Sequence, residues 1–160
     1  MHKFRIVPLS KQYVDQIKSS RVDDFGNTVI EEIANGLGPC RYSLKPFKPG
    51  KDKRLVLSHS PFEIQNAYNQ AGPIFISSDD VEEYKDVYRF PDEIKKEKER
   101  FKLTLIGYNV AQWMVFTQLV NENDCIDDMI ADIFDQHQEV EYLHVRSAVA
   151  CCYICKIIRA

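Results

Sequence analysis

The chain has 160 residues, of which 44% are hydrophobic, 11% aromatic and 28% charged, a composition typical of one globular domain. Its 21 Lys and Arg residues against 24 Asp and Glu residues give a formal net charge of -3, whereas general nucleic-acid binders present a basic surface to phosphates. No apolar run approaches the roughly 20 residues of a membrane-spanning helix, and no signal peptide is expected. We therefore expect a single domain over residues 1–160 that binds neither nucleic acid nor membrane.

The chain contains an odd number of cysteines: Cys40, Cys125, Cys151, Cys152 and Cys155. Without an export signal they are expected to be thiols rather than a disulfide framework, which predicts a cytoplasmic protein. Cys152 and Cys155 have Cys-x-x-Cys spacing, but they lie in an apolar run of strand type that would direct the two thiols to opposite faces. We therefore predict no metal and no cofactor.

The first half of the chain shows the patterns of one helix and several short strands. Alternation over residues 3–7 predicts a strand, and Ser10 is a typical N-cap for a helix that ends near Ser19. Residues 28–34 are compatible with either a strand or a short helix. Three further short strands are predicted at residues 41–44, 54–59 and 74–77, and residues 79–88 are predicted to be a turn or loop.

The second half of the chain shows two hairpins and two helices. Pro91 is typical of the first turn of a helix, which is predicted to run to about Arg100. Residues 101–108 and 112–119 predict an antiparallel pair, and Asn123 or Asp124 is expected to cap an amphipathic helix. A terminal hairpin is predicted over residues 141–146 and 151–158. The short links between strands predict an α+β domain: a mainly antiparallel or mixed curved sheet of about seven strands, with three or four helices.

The terminal hairpin is predicted to gather polar side chains on one face. If its loop is residues 147–150, Arg146 lies opposite Cys151 and His144 lies opposite Tyr153. Because side chains alternate along a strand, one face would then carry His144, Arg146, Cys151, Tyr153 and Cys155. The other, apolar face would carry Leu143, Val145, Cys152, Ile154 and Ile158.

Three segments of the sequence resemble a known bacterial family. The first is the run from Gly38 to Leu44, with the sequence Gly-Pro-Cys-Arg-Tyr-Ser-Leu, and the second combines Tyr68 with Gly-Pro-Ile-Phe at residues 72–75. The third is the chain end, from Leu-His-Val-Arg at residues 143–146 through Cys152 to residue 159. In this order they resemble the family catalogued as domain of unknown function 1203, which implies a single domain and supplies no activity.

The resemblance also marks individual positions of this chain and three departures from the family pattern. The marked positions are Cys40, Arg41, Gly72, Pro73, Phe75, His144, Arg146 and Cys152. Ser77 stands where members often have His, Ser147 stands where they have Asn, and Cys151 stands where they have Gly. These departures leave open whether a family activity is retained in this chain.

The preferred hypothesis is a binding domain for a small anionic ligand. The strand face that carries His144 and Arg146 would form the base of its pocket, and residues 38–44 and 69–75 would close it. An arginine binds a carboxylate or phosphate through two parallel hydrogen bonds, and Arg41 follows a glycine-rich bend that can expose backbone amides. The predicted ligand-binding residues are Arg41, Tyr68, His144, Arg146 and Tyr153.

Two alternative functions remain open at this point. One is a thiol-dependent enzyme in which Cys40 is the nucleophile and His144 its base, since a thiolate needs a nearby base or cation. The other is a protein-interaction module that uses the acidic face of helix 124–135. The sequence leaves the ligand, any reaction and the oligomeric state undetermined.

Overall fold

The architecture is that of an α+β domain with eight strands and three helices, seen in a computed structural model that describes residues 1–160. The strands are β1 (Phe4–Val7), β2 (Ile30–Ile33), β3 (Lys53–His59), β4 (Gly72–Ser77), β5 (Leu103–Tyr108), β6 (Met114–Leu119), β7 (Tyr142–Ser147) and β8 (Tyr153–Arg159). The helices are α1 (Lys11–Ser20), α2 (Asp92–Lys95) and α3 (Ile126–Gln136). None of the helices has the length and hydropathy of a membrane span.

The strands form two separate antiparallel sheets. A five-stranded sheet has the order β1-β8-β7-β5-β6, and a three-stranded sheet has the order β2-β3-β4. Every pairing between named strands is antiparallel, which confirms the predicted α+β class and its mainly antiparallel character. The segment left open by the sequence, residues 28–34, contains the edge strand β2.

Each sheet has its own hydrophobic core against a helix. The apolar stripe of α3, which includes Ile130 and Phe134, packs against Leu143 and Val145 of the five-stranded sheet. The apolar face of α1 packs against the three-stranded sheet in a second core. Tyr153 of β8 belongs to this second core, so the two sheets meet at β8.

The central strand β7 is buried on both faces. Tyr142 to Arg146 are all buried, because α3 covers one face and the loops before β4, together with the second sheet, cover the other. Leu143 and Val145 lie in the α3 core, and His144 and Arg146 lie on the opposite face. The alternation of the sequence therefore places two polar side chains at buried positions.

Three local predictions are wrong. Residues 41–44 form a turn rather than a strand, because Leu44 adopts a left-handed φ of 53° and its N–H bonds back to the Cys40 carbonyl. The helix from Pro91 stops at Lys95 and continues as turns to Arg100, since Ile94 is its only buried side chain. The N-cap of α3 is Cys125, while the Asp124 carboxylate accepts from the Asn121 N–H instead.

The predicted register of the terminal hairpin is also wrong. Arg146 lies opposite Tyr153 and His144 opposite Lys156, because a bulge inserts Ile154 between the residues that pair with Arg146 and Val145. Cys155 therefore pairs with Val145 in the α3 core and does not share a face with His144. Cys151 and Cys152 precede β8, so neither belongs to a strand face.

Candidate functional site

The candidate site is built on the face of the five-stranded sheet that points away from α3. On β7 the side chains of Tyr142, His144 and Arg146 alternate along this face. On the neighbouring strand, Tyr108 lies opposite Tyr142, and Thr104 lies opposite Arg146. We call the residues Tyr108, Tyr142, His144 and Arg146 the polar patch.

Five buried polar atoms of this patch have no hydrogen-bond partner in the protein. They are the Tyr108 hydroxyl, the Tyr142 hydroxyl, His144 Nδ1, His144 Nε2 and Arg146 Nε. Buried polar side-chain atoms are nearly always hydrogen-bonded, and an unpaired one costs about 1–3 kcal/mol. Such a concentration of unpaired atoms over four neighbouring residues therefore calls for a functional explanation.

His144 lies in an enclosure of aromatic rings. Its ring centroid is 4.9 Å from those of Tyr108 and Tyr153, 5.0 Å from that of Tyr142 and 5.1 Å from that of Phe62. Burial, reinforced by the positive charge of Arg146, holds the pKa of His144 well below its ordinary value of 6.5. The imidazole is therefore neutral at neutral pH and presents one donor and one acceptor.

A loop without regular structure covers this patch, and the sequence predictions included only its end, Tyr68 and residues 69–71. We call residues 60–71, which connect β3 to β4, the cover loop. Phe62 places its ring against Tyr108 as well as His144. The Gln112 side-chain oxygen accepts from the Glu63 and Ile64 N–H groups, each at 3.0 Å. At the far end, Arg146 Nη2 donates to the Gln70 carbonyl at 2.8 Å.

Two buried arginines bind the backbone that enters β8. Arg146 Nη1 donates to the Cys151 carbonyl at 3.0 Å, and Arg41 Nε donates to the Tyr153 carbonyl at 2.6 Å. Arg41 also donates to the carbonyl of Pro39. Only 2% of Arg41 and 3% of Arg146 is exposed, and neither forms a salt bridge with a carboxylate.

Arg41 remains a cation despite this burial. Desolvation lowers its pKa to about 10, while the neighbouring thiols of Cys152, Cys40 and Cys155 act in the opposite direction. At pH 7 the guanidinium is therefore charged, and its hydrogen-bond partners are neutral carbonyl groups. A buried cation of this kind is normally paired with an anion.

Two open grooves without acidic side chains flank the turn between β7 and β8. The first, which we call the basic groove, has a volume of about 520 Å³ and is lined by Arg41, Arg100, Lys102 and Phe75 among others. The second, which we call the Arg146 groove, has a volume of about 590 Å³ and includes Arg146 as its only charged residue. Both include Ser147, Ala150 and Cys152, so the arginines approach the same turn from two sides. At the rim, Arg100 lies 3.8 Å from Glu97.

Gly38 allows the basic groove to form beside Phe75. A Cβ atom at Gly38 would lie 2.9 Å from Phe75 Cε2, which is closer than real Cβ contacts come. The Phe75 ring, in turn, lies 5.6 Å from the Arg41 guanidinium carbon and 3.7 Å from that of Arg54. The Gly-Pro-Cys-Arg segment at residues 38–41 therefore packs directly against Phe75 of the Gly-Pro-Ile-Phe strand.

A second histidine, His59, lies near the patch, at the end of β3. It is buried, and its Nδ1 lies 2.8 Å from Asp24 Oδ2 and 3.0 Å from the Tyr13 hydroxyl. Its ring centroid is 5.8 Å from that of Tyr153. No sequence signal links these residues, because Asp24 is 35 positions from His59 and Tyr13 is 46.

The two residues of the thiol-enzyme hypothesis, Cys40 and His144, are not hydrogen-bonded to each other. Cys40 is buried and lines a third groove, of about 650 Å³, that contains both lysines and acidic residues. No hydrogen bond joins its sulfur to either nitrogen of His144, since both nitrogens have no partner. Tyr68 lies outside the patch, is 44% exposed and contacts Trp113 with a centroid separation of 6.4 Å.

The acidic helix is partly neutralised by contacts within the chain. Asp127 accepts from the Phe90 N–H and from Lys95 Nζ, and Asp135 pairs with Lys3 at 2.9 Å. No group of three or more His, Cys, Asp or Glu side chains is placed to hold a metal ion.

The three departures from the family pattern all occupy turns or strand ends. Cys151 adopts a φ of 63°, a left-handed conformation that favours glycine, and so explains why Gly suits this position. The Ser147 hydroxyl accepts from the N–H groups of Val149 and Ala150, and the Ser77 hydroxyl accepts from Asp79. Ser147 and Ser77 therefore each stabilise a local bend.

Comparison with known proteins gives one match. No curated protein and no solved structure matches the chain. A family model with the description "Protein of unknown function (DUF1203)" matches residues 38–159, which include all of the polar patch, the cover loop and both arginines. The chain therefore belongs to the DUF1203 family.

Proposed function

We propose that this protein is a binding domain for a small molecule that carries a carboxylate or phosphate group. The anionic group would lie beside the turn between β7 and β8, within reach of Arg146 or Arg41. The observation that carries the proposal is the burial of two guanidinium groups that have no carboxylate partner. Tyr153 and His144 would form the adjoining wall.

The third buried arginine of the chain supports this interpretation. Arg54 is 4% exposed, and its guanidinium lies 2.8 Å from Glu32 and donates to Asn35. The fold therefore supplies a carboxylate to this buried arginine. Arg41 and Arg146 have carbonyl partners only, which leaves their positive charge available to an external anion.

The grooves favour an anion by their overall charge as well. In a chain with a net charge of -3, neither the basic groove nor the Arg146 groove is lined by an Asp or Glu. A cleft lined by charge of one sign concentrates counter-ions and ligands of the opposite sign. We further propose that the protein works in the reducing cytoplasm of a bacterium, a setting consistent with its five free thiols.

The test is thermal unfolding with inorganic phosphate and a panel of simple carboxylates. We expect concentration-dependent stabilisation of the wild-type protein, as ligand binding to the native state requires. Arg41→Ala and Arg146→Ala should each fold, and at least one of them should lose this stabilisation. Arg54→Gln is the matched control, because it removes a buried but carboxylate-paired arginine and should keep the ligand response. Absence of any shift in the wild-type protein would contradict the proposal.

A further inference from the structure

The unpaired atoms of the polar patch are not explained by anion binding alone. The two guanidinium nitrogens of Arg146 that are hydrogen-bonded, Nη1 and Nη2, point to backbone carbonyls, whereas its Nε is unpaired in the patch. The other unpaired atoms belong to an imidazole and two phenols. Burial raises the pKa of Tyr108 and of Tyr142, although the neighbouring Arg146 guanidinium partly opposes this for Tyr108, so these three residues are all uncharged at neutral pH.

We propose that Tyr108, Tyr142 and His144 form a subsite for the planar, hydroxyl-bearing ring of an aromatic carboxylate, and that the cover loop opens to admit it. The proposal rests on the proposed function, because Arg146 would hold the carboxylate of the same ligand. The ligand class is therefore a hydroxylated aromatic acid.

The walls of the enclosure favour a planar ring. His144 is surrounded by four aromatic rings, and aromatic side chains bind other rings by stacking or edge-to-face contact. Residues two apart on a strand are separated by about 7 Å. Arg146 and His144 are therefore next neighbours on this face, so a ring whose carboxylate is held by Arg146 would lie against His144.

The unpaired atoms favour a hydroxyl group on that ring. Neutral His144 offers both a donor and an acceptor, and each tyrosine hydroxyl can take either role. A ligand hydroxyl, which also donates and accepts, would satisfy at least two of these buried atoms. A purely apolar ring would leave the four unpaired atoms of Tyr108, Tyr142 and His144 without partners and would bind more weakly.

Access to this subsite requires movement of the cover loop, because His144 has no exposed surface. The loop has one backbone hydrogen bond within residues 60–71, from Asn69 N–H to the Asn66 carbonyl. Its contacts with the β5–β6 turn depend on the side chains of Gln112 and Asn66, and Phe62 fills the space against His144. Few backbone bonds and side-chain attachments are typical of a segment that opens locally.

The binding test compares three probes: inorganic phosphate, cyclohexanecarboxylate and 4-hydroxybenzoate. For the wild-type protein we expect 4-hydroxybenzoate to bind at least fivefold more tightly than cyclohexanecarboxylate in titration calorimetry. Tyr108→Phe should reduce this preference to within twofold while retaining the response to phosphate. Tyr84→Phe is the matched control, since the Tyr84 hydroxyl donates to the Arg89 carbonyl outside the patch, and it should keep the full preference.

The outcomes separate the two proposals. If no probe binds the wild-type protein, both the proposed function and the subsite are wrong. If phosphate binds but the wild-type protein shows no preference for 4-hydroxybenzoate, or if Tyr108→Phe keeps that preference, only the subsite is wrong.

Movement of the cover loop can be followed with the single tryptophan. Trp113 contacts Tyr68 of the cover loop, so opening should change its environment. We expect 4-hydroxybenzoate to change Trp113 emission, excited at 295 nm, by at least 10%, and Tyr68→Ala to reduce that change by half or more without loss of calorimetric binding. Binding of 4-hydroxybenzoate without any change in Trp113 emission would contradict the proposal that the cover loop opens.

Discussion

His59 and His144 approach the same ring, Tyr153, from two different sheets, with centroid separations of 5.8 and 4.9 Å. Both are buried, and burial lowers the pKa of both. His59 lies beside Asp24, which holds one ring nitrogen and opposes the effect of burial on the pKa. His144 has no hydrogen-bond partner, and its charged neighbours, Arg146 and Lys156, lower the pKa further.

The same contrast extends to the arginines near each histidine. On the three-stranded sheet, Arg54 is paired with Glu32, and its neighbour Phe75 lies 3.7 Å from the guanidinium carbon. On the five-stranded sheet, Arg146 has an unpaired Nε. The buried arginine and histidine of the three-stranded sheet are therefore matched within the chain, and those of the five-stranded sheet are not. Local violations of this matching rule are expected where a protein binds something else.

The largest effect on stability is expected from removal of Asp24, the hydrogen-bond partner of His59. Asp24 accepts from the Tyr13 hydroxyl, from His59 Nδ1 and from the Ser60 N–H. Asp24→Ala would leave these donors unpaired, so we expect the free energy of unfolding in urea to fall by about 2–3 kcal/mol. Asp15→Ala, which removes an exposed ion pair with Lys11, is the control and should change stability little. An equally small effect of Asp24→Ala would show that the His59 network does not stabilise the fold.

The second prediction concerns the pH dependence of stability, which should differ between His59 and His144. Because the pKa of each is lowered in the folded state, the unfolded chain binds more protons below pH 6.5. The free energy of unfolding is therefore highest above pH 6.5. As the pH decreases below this value, it falls by up to about 1.4 kcal/mol per pH unit for each histidine. We expect His144→Gln to flatten the dependence between pH 7 and pH 5 more than His59→Gln, since Asp24 favours protonated His59. Urea unfolding at both pH values measures this, and a larger effect of His59→Gln would contradict it.

The smallest effect is expected from removal of one unpaired hydroxyl. Tyr142→Phe keeps the ring and its contact with Lys156 but removes an oxygen that has no partner. We expect the free energy of unfolding to rise by up to about 1 kcal/mol. Tyr84→Phe should lower stability instead, because the Tyr84 hydroxyl is hydrogen-bonded to Arg89. A loss of stability in Tyr142→Phe would mean that its hydroxyl serves folding.

Much of the secondary structure could be predicted because its signals are local. Ser10 caps α1 through a bond from the Tyr13 N–H to its hydroxyl, and the alternation over residues 101–119 corresponds to β5 and β6. The prediction failed where tertiary contacts override local preference. Residues 41–44 have strand-like composition, but burial of Arg41 and the left-handed Leu44 require a turn.

The site was only partly accessible from the sequence. Alternation on β7 predicts that His144 and Arg146 share a face, because a strand repeats every two residues. The bulge at Ile154 is not visible in the sequence, and it moved Cys155 into the core. The first part of the cover loop was missed as well, since nothing local to Phe62 or Gln112 indicates that they meet near β5 and β7.

The sequence by itself determined the α+β class, the β5–β6 and β7–β8 pairs and the face of β7 on which the polar residues lie, since these follow from periodicity and turn residues. Only the tertiary structure decided that this face is buried, that Asp24 reaches His59 and that Arg41 and Arg146 lack a carboxylate. The reason is that burial and pairing of polar groups depend on contacts between segments that are far apart in the chain.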